Sequence, residues 1–250
     1  MTSNGQAIYN EVVTIIGTII YIKGDHMANT KQKGSINWIF WMIGIIAVGV
    51  IIIVVLDQNM SSSEKETSID YENQPYIGEE DAPVNMIEFG DYRCPHCKNF
   101  QQSAFPEIKK QLVDSGDVKF YFVNYAFLNK DSDRGAKFAE TVFQELGNNA
   151  FWEFHDHLFA SMPDDMNKSN VYTTEFLKQT LQDVVDDQEK VQTVVEAYEN
   201  GAGEDALEKD MEIARNLGVT GTPTVAVDGE VIKLESFQDL KDAVEEAKNK

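Results

Sequence analysis

Cysteine is scarce in this chain. Its 250 residues include 2 Cys, 6 Pro and 4 His. Two cysteines exclude a multi-bridge disulfide framework and a four-cysteine zinc site. The histidines do not restore a zinc reading, because the close pair His155 and His157 is two apart, whereas zinc motifs space their ligands by three to five. Positive charge is also thin. With 21 Lys and Arg against 42 Asp and Glu the net charge is −21, which repels a phosphate backbone and excludes nucleic acid as an expected partner. The two cysteines themselves stand in Cys94-Pro95-His96-Cys97, after an apolar run and before an amphipathic helical pattern. A bridge over so short a loop constrains the unfolded chain little, so a stapling role is weak. A C-x-x-C at a strand-to-helix junction is a redox pair, since its first sulfur lies on the unpaired amides of the helix start.

Long apolar runs are limited to the N-terminal part. Ile36 to Leu56 carries no charge, and as a helix it rises about 31 Å, enough for the roughly 30 Å hydrocarbon core. Residues 36–56 are therefore expected to form one transmembrane helix. Lys31 and Lys33 precede it and Asp57, Glu64 and Glu66 follow it, so residues 1–35 are expected in the cytoplasm and the rest outside the cell, in an oxidising space. A cleaved signal peptide has a shorter apolar core ending at small residues, and a lipoprotein anchor needs a cysteine near the end of the run; neither is present. The stretch Val12 to Ile22 is too short to span, and Met-Ala-Asn-Thr-Lys-Gln-Lys from Met27 makes a conventional basic leader, so translation is expected to start at Met27. The acidic clusters Glu79-Glu80-Asp81, Asp164-Asp165 and Asp186-Asp187 lack the EF-hand spacing. They read as a solvated surface, with calcium binding as the alternative.

Residues 57–74 are rich in Ser and charge and suit a solvated linker. Folding is expected from Pro75: a strand over Val84 to Phe89, a helix over Cys97 to Val113 bent at Pro106, and an aromatic, β-branched strand over Val118 to Phe127. From about residue 131 to 217 the periodicity is helical, in five segments divided at Gly147-Asn148, Met162-Pro163, Asp186-Asp187 and Gly201-Ala202-Gly203. Phe151, Trp152, Phe154, His155 and His157 share one of these segments and read as core. Thr224 to Val227 and Glu230 to Leu234 then form a hairpin about Asp228-Gly229, and Ser236 caps a final helix through Lys248.

Three features in this order, Glu88 six positions before Cys94, the Cys-Pro-His-Cys motif and Thr222-Pro223, resemble the DsbA family of thiol-disulfide oxidoreductases, in particular its membrane-anchored Gram-positive members. The resemblance covers residues 75–250. It implies an α/β thioredoxin-like fold with an inserted helical domain, here preceded by the transmembrane helix, and an extracytoplasmic oxidase that makes disulfides in exported proteins. It further implies unfolded or reduced polypeptides as substrates, a quinone-linked membrane thiol oxidase as partner, a monomer, and no cofactor beyond the redox-active disulfide. Cys94 would exchange with substrate as a stabilised thiolate, Pro95 and His96 would tune it, and Cys97, shielded one turn into the helix, would resolve. A depression of about three pKa units moves the couple about 90 mV toward oxidising. Thr222 and Pro223, through a cis bond, would dock the substrate backbone by edge-strand addition. Glu88 has two readings, a proton acceptor for Cys97 or a surface-facing strand end. Thr222 stands where oxidases often carry Val and reductases or isomerases Thr, whereas Pro-His between the sulfurs points to the oxidase. A reductase or isomerase of the same fold, and a binding or chaperone module with a structural disulfide, are the alternatives.

Overall fold

The computed structural model describes residues 69–163, 165 and 168–250. The expected cytoplasmic segment 1–35, transmembrane helix 36–56 and start at Met27 lie outside these residues, as does most of the linker. Among the described residues no helix is long and apolar enough to cross a membrane.

A five-stranded sheet organises the domain, in the order β1 (Tyr76–Ile77), β3 (Val118–Asn124), β2 (Val84–Gly90), β4 (Thr224–Val227), β5 (Glu230–Ile232). β2 and β3 run parallel, with Glu88 beside Phe122 and Gly90 beside Asn124; the other three pairings are antiparallel. β2 lies at the centre and is buried on both faces, which is why it reads as a nearly continuous apolar run. On one face Val84, Met86, Phe120, Phe122, Val225 and Val227 join the main core. On the other Ile87, Phe89, Tyr121, Val123 and Ala226 pack with Ala214 and Val219, and Ile69 and Tyr71 from the N-terminal approach lie against them.

β2 leads into a helical run that starts at Pro95. It alternates α1 (Pro95–Asn99), a π-helical stretch Phe100–Ala104, α2 (Phe105–Ile108) and a second π-helical stretch Lys109–Val113. Around Pro106, where the sequence predicts a bend, the helix is widened on either side, for a steric reason. Pro106 has no N–H, and its ring presses on the carbonyl four residues back, at Gln102; the widened turn gives that carbonyl room.

β3 ends at Asn124, three residues short of the expected Phe127. The Asp91 carboxylate takes the amides of Phe127 and Leu128 at 3.1 and 3.2 Å, which turns the chain away from the sheet. The helical insertion follows as expected: α3 (Lys130–Leu146), α4 (Asn148–Ala160), α5 (Thr174–Gln182), α6 (Gln188–Glu199) and α7 (Glu204–Asn216). Asn129 and Ser132 close a capping box on α3, and Asp187 caps α6 by accepting the amides of Glu189 and Lys190. The β4–β5 turn places Asp228 and Gly229 at φ 46 and 83, the left-handed geometry that makes Asp-Gly a hairpin signal. Ser236 and Asp239 then cap α8 (Phe237–Lys248).

The insertion is tied to the sheet by a buried polar cluster. Asn124 donates through its backbone N–H to Asp210 at 2.8 Å and through its side chain to Glu140 at 2.7 Å, while Gln74 donates to Asp210 at 2.7 Å. Burial pushes both carboxyls up, Asp210 to about 6, and the facing Asp210 raises Glu140 further.

Candidate active site

The redox segment is built by the end of β2. Gly90 has no choice of side chain, since a Cβ there would lie 2.3 Å from the Phe122 ring. The chain then turns on Asp91, whose carboxylate accepts the amide of Arg93 at 2.7 Å and whose carbonyl accepts that of Cys94 at 2.9 Å. Cys94 is the N-cap of α1, with extended backbone at φ −88 and ψ 117, and Pro95 takes the first helical position, where a missing amide is no loss. The four residues Asp91 to Cys94 are buried, whereas Pro95 and His96 are exposed.

Both cysteines are free thiols, and their environments are opposite. Cys94 is held down at about 5: the Cys97 thiol donates to it, Thr222 and the amides of Cys97 and His96 add to that, and together they outweigh its burial. Cys97 is fully buried, and its thiol is pushed far up, by burial first and then by its donation to Cys94 and the charges of Glu88 and Cys94. At neutral pH one sulfur is an anion and the other a proton donor to it. That asymmetry suits a leaving group and a shielded resolving thiol.

Thr222-Pro223 is a cis peptide bond, and the Thr222 carbonyl lies 3.4 Å from Cys94 Sγ, in reach of the thiol proton. The Thr222 hydroxyl is buried with no other partner and is free to turn to the thiolate. His96 acts on Cys94 through its amide; among the described residues its exposed ring makes no hydrogen bond to the sulfur. Glu88 is 1 % exposed in the middle of the sheet, between Phe122 and Val225, which removes the surface-facing reading. Both of its carboxyl oxygens lack a partner, and burial followed by the Cys94 charge pushes it well above the usual carboxylate range. It interacts electrostatically with both cysteines, so the structure brings Glu88, Cys94, Cys97 and Thr222 together.

Three residues beside the motif escape a reading for function. Asp91 organises the turn, and its signal is a buried Asx turn three positions before the first cysteine. Tyr92 shares a hydrogen bond with His155 Nδ1 at 2.9 Å, and Arg93 is wholly buried. His155 lies in an aromatic cage and burial holds it near 3, so it is neutral, while His157 is at the surface near Asp183. The clusters Glu79-Glu80-Asp81 and Asp186-Asp187 are exposed, and among the described residues no group of three or more His, Cys, Asp or Glu converges as for a metal ion.

A thioredoxin family model matches residues 70–246. Disulfide bond formation protein D of Bacillus subtilis (strain 168) is 37% identical over 175 residues, 69% of this chain and 76% of that protein. The probable disulfide bond formation protein D of Bacillus anthracis is 29% identical over 224 residues, 88% of this chain and 98% of its own. Among solved structures, oxidised BdbD from Bacillus subtilis superposes with a TM-score of 0.65 at 34% identity, covering 72% of this chain and 95% of that one.

Proposed function

Because the chain belongs to the thioredoxin family that includes disulfide bond formation protein D, we propose that it is an extracytoplasmic oxidase that introduces disulfides into exported proteins. It is a thiol-disulfide oxidoreductase whose redox group is its own cysteine pair. In the oxidised enzyme a substrate thiolate attacks Cys94 Sγ, the Cys94–Cys97 bond breaks, and Cys97 leaves as a thiol after taking a proton. A second substrate thiolate then attacks the substrate sulfur of the mixed disulfide. The substrate disulfide forms, and Cys94 leaves as the thiolate that the site stabilises. Glu88, buried beside Cys97, holds the proton that Cys97 gains and returns. Thr222 and Pro223 line the mouth where an extended substrate backbone docks.

The observation that carries this reading is the opposite ionisation of the two sulfurs. An anionic Cys94 stabilises the reduced enzyme and so makes the disulfide a strong oxidant. Residues 36–56 serve as the membrane anchor, and a quinone-linked membrane thiol oxidase restores the disulfide. The test is oxidation of a reduced, unfolded protein by the oxidised enzyme, followed as loss of free thiols. Wild type turns over and Cys94→Ser does not; equal turnover sinks the assignment. Equilibration with glutathione settles direction: a potential near −120 mV supports the oxidase, and one near −270 mV makes the protein a reductase.

A further inference from the structure

The residues just before Cys94 are held from outside the thioredoxin core. Tyr172, in the connection between α4 and α5 of the insertion, is fully buried, and its hydroxyl donates to the Tyr92 carbonyl at 2.8 Å. The Arg93 guanidinium lies over the Tyr172 ring, 5.4 Å from its centre, and Arg93 Nη2 donates to the Lys168 carbonyl at 3.0 Å. Tyr172 is itself fixed by Asp131 of α3, which accepts its amide at 3.3 Å and that of Val171 at 2.9 Å. Burying an arginine whose Nε and Nη1 find no partner is unfavourable, so this packing is not a default solution for a core. Gly135 adds an independent sign. Glycine inside a helix costs up to about 1 kcal/mol relative to alanine, yet α3 carries one where a Cβ would come within 3.1 Å of the Tyr172 ring and 3.4 Å of Tyr92.

We infer that Tyr172 is a positioning residue for Cys94: by bonding the Tyr92 carbonyl and carrying Arg93 on its ring, it sets how the chain enters the helix that begins at Cys94. The amides of His96 and Cys97 serve the sulfur only while that helix start is aimed at it. The insertion is thereby part of the redox centre. The inference rests on Cys94 being the exchanging sulfur.

The test compares Tyr172→Phe, which deletes one hydroxyl, with Thr180→Val, which deletes a buried hydroxyl of the same insertion that bonds only the Phe176 carbonyl. Thiolate absorbance is titrated in each reduced protein. Tyr172→Phe is expected to raise the Cys94 pKa by about 0.5 to 1 unit, the range of one hydrogen bond, and Thr180→Val to leave it unchanged. An unchanged pKa in Tyr172→Phe, or an equal shift in both, overturns the inference and leaves Tyr172 an ordinary core residue. If Tyr172→Phe does not fold, Gly135→Ala presses on the same ring without deleting a group and must raise the pKa by the same logic. A wild-type protein with no depressed thiol would instead refute the assignment of Cys94 itself.

Discussion

Removing the Cys94 sulfur from the reduced protein should cost stability in a way that depends on pH. The thiol falls from 9.0 in an unperturbed cysteine to about 5 in the fold, so the folded state favours the anion. A depressed pKa contributes stability that is full above the unfolded value and lost as pH falls through the folded one. Each unit is worth 1.36 kcal/mol, so at pH 7, two units above the folded pKa, the contribution is about 3 kcal/mol. The exposed neighbours Pro95 and His96 leave the charge partly screened, which removes on the order of one unit and brings the lower bound to about 1 kcal/mol. The assay is urea unfolding of the reduced wild type and of Cys94→Ala across pH. The difference should be flat below about pH 5, rise by about 1.4 kcal/mol per unit toward pH 9, and then stop rising. Above that pH Cys97, whose thiol burial holds far up, lowers the stability of both proteins, because the unfolded chain ionises it and the folded one does not, and so drops out of the difference. A difference that stays level from pH 5 to 9 would refute thiolate stabilisation by this fold.

Other outcomes follow from single contacts. Thr222→Val removes a hydroxyl that helps hold Cys94 down and should raise the Cys94 pKa by about 0.5 to 1 unit, read by thiolate absorbance; no change would assign the effect to the Cys97 thiol and the amides. Glu88→Leu replaces a buried, unpartnered carboxyl whose raised pKa weakens the fold as pH rises from the ordinary range through the folded value. The variant should be about 1–3 kcal/mol more stable at neutral pH by urea melting, yet slower in stopped-flow resolution of a mixed disulfide at Cys94 by Cys97; unaltered resolution would remove its proposed role. Asp91→Ala strips the amides of Arg93, Phe127 and Leu128 of their acceptor and should destabilise by about 3 kcal/mol or more, with a loss under 1 arguing that water replaces it. Gly90→Ala drives a Cβ into the Phe122 ring and should cost about 1–3 kcal/mol in the same melts.

Much of this domain is decided locally, and such features are visible in the chain itself. A central strand buried on both faces must be apolar throughout, helices of the insertion repeat at 3.6 residues, and a tight hairpin needs residues that accept positive φ, as Asp228 and Gly229 do. The Cys-Pro-His-Cys spacing likewise marks a helix start, because proline at the first helical position loses no hydrogen bond. Other features depend on residues distant in sequence, and only the tertiary structure decided them. β3 stops at Asn124 because a carboxylate 36 positions back captures two of the following amides. Glu88 is buried rather than surface-facing because the main core covers its face of the sheet, where Met86, Phe122 and Val225 lie beside it. The same holds at the redox centre: the chain alone names the two sulfurs, whereas their opposite ionisation arises when the fold turns the Cys97 thiol onto Cys94, adds Thr222 from 128 positions on, and buries Cys97. Ionisation responds to desolvation and to the placing of donors: even those close in the chain, the Cys97 thiol and the amides of His96 and Cys97, reach Cys94 only because the folded helix start holds them there.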